Sequence, residues 1–191
     1  TCDETSCFKH ELPHTVPAGR TAYLVDDYWP EFAEYLAMFA RPSDVLGLPI
    51  DGARWKLPRY GWSTKPFGTV ATATLQTLIR SLTSRRLAAQ GAARQTAQLR
   101  AAEALATRFA RLLTPDVTAV CVAQALRPYL WRDGHLAARS VRVLMARLPM
   151  GVLQDRLDAA KAAHAESPTL GDFRAPADLV LAEEEALAAA D

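Results

Sequence analysis

Val117-Thr118-Ala119-Val120-Cys121-Val122-Ala123 and Ser140-Val141-Arg142-Val143-Leu144-Met145-Ala146 decide how this chain is read. The first is a continuous run of small apolar residues of strand length, the pattern of a strand covered on both faces. The second sets Val141, Val143 and Met145 on one face. Between them Pro128 suits the first turn of a short helix, and Asp133-Gly134 makes a turn. Strand, helix, strand with so short a crossover predicts two adjacent parallel strands. Working outward, Leu99, Ala102, Leu105, Phe109 and Leu112 form the apolar stripe of a preceding helix, which Thr114-Pro115-Asp116 stops. Leu153, Leu157 and Ala160 mark a helix over 151–164, and Pro176 opens the last one. The order predicts an α/β fold, helix-rich, with a parallel sheet flanked by helices.

Toward the amino terminus the signals are shorter. Thr21-Ala22-Tyr23-Leu24-Val25 predicts a strand ending at Asp26-Asp27. Pro30 opens a helix whose Phe32, Tyr35, Leu36 and Phe39 share a face, and 44–48 predicts a second strand. The stretch 49–67 reads as loop, punctuated by Pro49, Gly52, Pro58, Gly61 and Pro66. Helix is expected from Thr69 to Leu87 and again to Leu113, with Gly91 as a weak point. Residues 1–19 read as a loosely held lead-in to one α/β domain over 20–191. The start at Thr1 and the stop after Ala188-Ala189-Ala190-Asp191 lead us to expect a piece of a longer protein, truncated at its carboxyl end.

Composition narrows the function classes. Half of the 191 residues are apolar and 23% are charged, an ordinary globular balance. A formal net charge of +1 supplies no global field for nucleic acid. The seven arginines between Arg80 and Arg111 are scattered around the helix rather than striped, so they read as a solvated face. No apolar run approaches the roughly 20 residues of a membrane span. With three cysteines and no disulfide framework, a cytoplasmic protein is expected. Cys2, Cys7, His10 and His14 are zinc-ligand types, but only two residues separate the Cys pair from the His pair. We therefore expect no metal site.

Two regions carry candidate binding chemistry. The segment from Trp55 to Thr69 gathers tryptophan, tyrosine, arginine, lysine and hydroxyl groups. Trp62 offers a stacking face, while Arg59 and Lys65 suit phosphate; Ser63, Thr64 and Thr69 add hydroxyls. Gly68-Thr69 falls where a helix amino terminus would present free N–H groups to an anion. The plain alternative is a surface loop whose aromatics plug the core, with Thr69 as an N-cap. The second region is the carboxyl ends of the two quoted strands, where open parallel sheets meet ligands. Gln124 follows the first and Arg147 the second. Either side chain would equally well satisfy loop carbonyls. His135 has a carboxylate nearby and no nucleophile at readable spacing, which fits a turn histidine better than a general base.

Thr114-Pro115-Asp116-Val117, then Val141-Arg142-Val143-Leu144-Met145, then Glu183-Glu184-Glu185-Ala186-Leu187-Ala188-Ala189-Ala190-Asp191 resemble the N-terminal domain of GT-B glycosyltransferases of the family-4-like type. The resemblance covers about 95–191. It implies a Rossmann-like half of a GT-B fold that binds a sugar or glycan acceptor. The nucleotide-sugar donor and the paired glutamates would belong to a C-terminal domain absent from this chain, so the chain alone needs no cofactor and would be inactive. The departures fall at the strand ends: family members often carry histidines where this chain has Gln124 and Arg147. The glycine-rich loop after the first strand is not recognisable, and 62–69 is expected in its place. No catalytic base is assigned. The alternative is a non-enzymatic helical binding or scaffold module whose α/β part is structural.

Overall fold

The computed structural model describes residues 19–87 and 91–190. Five strands make one sheet: β1 (Arg20–Leu24), β2 (Val45–Leu48), β3 (Thr69–Thr72), β4 (Val117–Ala123) and β5 (Ser140–Leu144). Their spatial order is β3-β2-β1-β4-β5, and every neighbouring pair is parallel. The helices are α1 (Pro30–Phe39), α2 (Gly52–Trp55), α3 (Thr74–Arg86), α4 (Gly91–Ala110), α5 (Arg127–Arg132), α6 (Met150–Ala163) and α7 (Ala177–Ala188). The α/β class and the parallel sheet expected from the sequence are present. The two deciding strands pair in register from Ala119 opposite Ser140 to Ala123 opposite Leu144. None of the described helices is long and apolar enough to cross a membrane.

Alternation along the central strands divides the core into two layers. Ala22 and Leu24 of β1 face the same side as Val120 and Val122 of β4, packing on Leu105, Phe109, Leu130 and Leu179 of the helical layer. Tyr23, Val25 and Cys121 face the other side, with Leu36, Leu46, Leu48, Trp62 and Phe67. Gly47 permits a close approach of β2 to the helical layer. A Cβ there would stand 3.0–3.1 Å from side-chain carbons of Leu112, Leu24 and Phe109. At the other end of β2, the fully buried Asp44 carboxylate accepts from the backbone N–H groups of Thr21 (2.9 Å) and Arg41 (2.8 Å). That bond fixes where β1 starts relative to β2.

The structure corrects one element. Residues 69–72, read as the start of a helix, form edge strand β3, and helix begins at Thr74. Thr69-Val70-Ala71-Thr72 is rich in β-branched residues and pairs from Val45 opposite Thr69 to Leu48 opposite Thr72. Only Ala73 separates strand from helix, so no turn signal marks the change. The loop 49–67 also holds α2 and a 3₁₀ turn at Pro58–Tyr60, where proline and glycine had suggested only irregular chain.

Burial raises two proton affinities in the second layer. It lifts the Cys121 thiol from 9.0 to about 12 and the Tyr23 phenol from 10.0 to about 12. Both acids hold their protons more tightly when folded. Their contribution is therefore fully present below the unfolded values and is lost as pH rises from about 9 through 12. The melting temperature should fall steeply across that window, and the fall should be shallower in a Cys121→Ala/Tyr23→Phe variant. Parallel alkaline profiles by calorimetry would contradict this origin.

Candidate functional site

The chain lays down β1, β2 and β3 outward in one direction, then returns through α3 and α4 to place β4 on the other side of β1. Parallel sheets open a crevice at such a reversal, outside the carboxyl ends of the strands. Here the crevice is lined by the residues that follow β1 (Val25, Asp26, Asp27), β4 (Gln124, Ala125) and β5 (Ala146, Arg147). Trp29 just before α1, Phe32 from α1, Arg80 from α3, and Gln95, Gln98 and Leu99 from α4 complete the walls, with Arg59 and Trp62 reaching in from the long loop. Its volume is about 290 Å³, at the lower end of small-molecule sites.

Two acids and two arginines alternate along one wall. Arg80 donates through Nη1 to Asp26 Oδ1 at 2.5 Å, and its Nη2 lies 3.7 Å from Asp27 Oδ1. Arg59 grips Asp27 with both prongs, at 2.9 and 2.8 Å. Asp26 is 9% exposed, and burial pushes its proton affinity above the ordinary carboxylate range, with Arg80 pulling the other way. Asp26 Oδ2 carries no protein donor among the described residues. A buried acid that lines a cleft and has one oxygen fixed by a cation is equipped to accept a proton or a hydroxyl hydrogen bond.

The opposite wall is a closed network. Gln124 Nε2 donates to Glu183 Oε1 (3.3 Å) and to Leu148 O (3.5 Å), while its Oε1 accepts from the Arg147 backbone N–H (3.3 Å). Glu183 sits on α7, 1% exposed, and its Oε2 also accepts from the Met150 N–H at the start of α6. A carboxylate there meets the positive end of the helix. Arg147 stands 3.9 Å from Glu183 and keeps 41% of its side chain exposed. Gln124 is thus a bracket joining the ends of β4 and β5 to α7, and Arg147 is the charge that network leaves facing the crevice.

Of the residues singled out from sequence, Arg59, Trp62, Gln124 and Arg147 come together here. Trp62 is 2% exposed, edge-packed on Tyr28, and its indole N–H donates to the Asp26 carbonyl at 3.0 Å. It positions Asp26 and offers the crevice little free ring. Ser63, Thr64 and Lys65 lie where the chain runs away from the crevice, and none lines it. Gly68 and Thr69 sit at the amino end of β3, the opposite edge of the sheet. The Gly68 N–H donates to Pro42 O, and Thr69 Oγ1 accepts from Arg20 Nη2. The expected anion cradle at Gly68-Thr69 is absent because Thr69 opens a strand, not a helix. Arg59 is held by Asp27 rather than left for phosphate.

His135 lies in the turn before β5, its N–H bonded to Leu130 O, and does not line the crevice. Cys2, Cys7, His10 and His14 fall outside the described residues; among those described, no cluster of metal-ligand types exists. Asp26 and Asp27 were missed as site residues although they follow a strand exactly as Gln124 does. Arg80, Gln95 and Gln98 carried no local signal. Comparison with family models, curated proteins and solved structures finds no match for this chain.

Glu183 gives this site its measurable weak point. Glu183→Ala leaves the Gln124 amide, the Met150 N–H and Arg147 without their shared acceptor, and should cost about 2–4 kcal/mol. Glu183→Gln keeps one acceptor oxygen and should cost roughly half. Urea unfolding of both variants checks the order, and equal losses would assign the effect to packing alone.

Proposed function

We propose that this chain is the acceptor-side domain of a GT-B-like glycosyltransferase, holding a sugar or glycan in the crevice while a nucleotide-sugar is presented by a second domain. The observation that carries the reading is the crevice itself. It lies at the strand reversal of a Rossmann-like sheet and combines aromatic rings, planar amides and arginine–aspartate pairs. A polyol needs that mixture. Trp29, 45% exposed, and Phe32 offer faces for C–H bonds, and Gln95, Gln98, Asp26 and Arg147 offer donors and acceptors for adjacent hydroxyls. The resemblance over about 95–191 points the same way. A cytoplasmic site of action belongs to this reading.

Glycosyl transfer develops positive charge at the sugar carbon and negative charge on the departing phosphate, so preorganised charges stabilise it. The acceptor hydroxyl loses its proton as the new C–O bond forms. In this reading Asp26 Oδ2 accepts the acceptor hydroxyl's hydrogen bond and then its proton, with Arg80 holding Oδ1 in place. Arg147 stabilises the departing anion or orients the acceptor. Gln124 and Glu183 are positioning residues that hold Arg147 at the rim.

The test is made on the full-length gene product with panels of nucleotide-sugars and glycan acceptors, reading nucleotide release and product mass. Asp26→Asn should lower kcat by roughly 10²–10⁴-fold with KM changed little, and should abolish the acid limb of the pH profile, which lies above the ordinary carboxylate range. Arg147→Ala should lower turnover by about tenfold or more. Saccharide binding in the crevice with no transfer from any donor would favour the non-enzymatic binding module instead. Neither binding nor transfer would remove the carbohydrate reading.

A further inference from the structure

Helix α3 carries its apolar face on the outside. Its inward side is polar: Thr77 Oγ1 donates to Pro49 O at 2.8 Å, and Arg80 reaches Asp26 in the crevice. Its outward side carries Leu75, Leu78, Ile79 and Leu82, which are 66, 52, 55 and 57% exposed. Their spacing of three, four and seven residues aligns them in one stripe, the arrangement that ordinarily faces a core. A contiguous exposed stripe of this kind marks a contact surface.

The charge around it is one-sided. Arg85 and Arg86 close the carboxyl end of the stripe. At the other end Leu75 shares a surface depression with Arg108 of α4 and Arg111 just past its end. None of these four arginines pairs with a carboxylate among the described residues. From 74 to 111 the chain has seven arginines against the single acid Glu103, although its overall charge is only +1.

We propose that α3 docks on an anionic lipid bilayer, with Leu75, Leu78, Ile79 and Leu82 entering the interface and the arginines at either end of the stripe meeting lipid phosphates. An apolar stripe with cationic flanks is the pattern of an interfacial helix, and cytoplasmic leaflets are anionic. A second copy fits poorly. Stacking two stripes about a two-fold axis would set Arg85 and Arg86 against their own copies or against Arg108 and Arg111. A helical protein partner would need an apolar trough, whereas the depression beside Leu75 is lined largely by threonines and arginines. Nucleic acid would leave the leucines against phosphate. This inference does not depend on the glycosyltransferase reading.

The test is flotation of the whole chain with vesicles of phosphatidylglycerol and phosphatidylcholine in equal parts, against phosphatidylcholine alone. Binding should require the anionic lipid and should weaken in 1 M salt, where charges are screened beyond about 3 Å. Leu78→Asp/Leu82→Asp should weaken it at least about tenfold, since charges enter the interface poorly. Arg85→Gln/Arg86→Gln should weaken it about fivefold per arginine. These side chains face outward, so both variants should melt within a few degrees of the parent chain. Equal binding to both vesicle types, or binding unchanged in the leucine variant, would overturn the proposal. So would a dimer that the leucine variant disperses. Vesicle binding by a chain starting at residue 19 but not by the whole chain would overturn it too, since the chain's own first residues would then cover the stripe.

Discussion

The pairing of β4 with β1 is the constraint from which the rest of the architecture follows. Five register pairs, from Arg20 opposite Val117 to Leu24 opposite Val122, set the returning chain beside the first strand rather than beyond the third. Any other placement would continue the sheet in one direction and leave no reversal, hence no crevice. The amino edge of the sheet locks this arrangement. Arg20 donates to Ser43 O, Asp116 Oδ2 and Thr69 Oγ1, so one guanidinium ties the approaches to β2, β4 and β3 to the start of β1. Arg139 does the same on the far side, donating to Val117 O, Leu113 O and His135 O. These contacts to carbonyls, a carboxylate and a hydroxyl engage both guanidinium groups in holding the sheet together.

The carboxyl edge is built on the opposite principle. Asp26, Gln124 and Glu183 are all buried there, although each loses hydration that an apolar residue would not. The Gln124–Glu183 bracket offsets that cost through hydrogen bonds, while Asp26 is only half satisfied, with one oxygen fixed by Arg80. Polar groups held in a cleft at some expense in stability are what a binding surface needs. Arg127 is a different case. It is 1% exposed and donates to Ala186 O, which joins α5 to α7, but nothing in the structure explains its unbonded Nε and Nη1 among the described residues.

What the sequence made legible follows from how local each signal was. Strands β4 and β5 were readable because a seven-residue, mostly small apolar run, a proline and an Asp-Gly turn all agree. The β3 strand was not, because four residues run into α3 with a single alanine between them. Gln124 and Arg147 could be found from the rule that parallel strands meet ligands at their carboxyl ends, and Asp26 satisfies the same rule. Its partner Arg80 arrives from 54 residues away, and no spacing encodes that meeting. Gly68 and Thr69 show the converse error. They follow Trp62 closely in sequence, yet the chain between them crosses from one edge of the sheet to the other.

Helix α3 shows why a periodic pattern gives a stripe but not its direction. Apolar residues three and four apart conventionally point inward, and in α4 they do: Ala102, Leu105, Ala106 and Phe109 are buried against the sheet. In α3 the inward side meets the crevice wall and the Pro49 carbonyl, so the groups it must satisfy are polar. Burying Leu75, Leu78, Ile79 and Leu82 there would leave Asp26 without Arg80 in a poorly hydrated site, a penalty of about 3–5 kcal/mol that offsets much of what burying four half-exposed aliphatic side chains would gain. The helix therefore turns its leucines outward because the crevice claims its other face. One constraint sets both the Asp26–Arg80 pair and the exposed stripe.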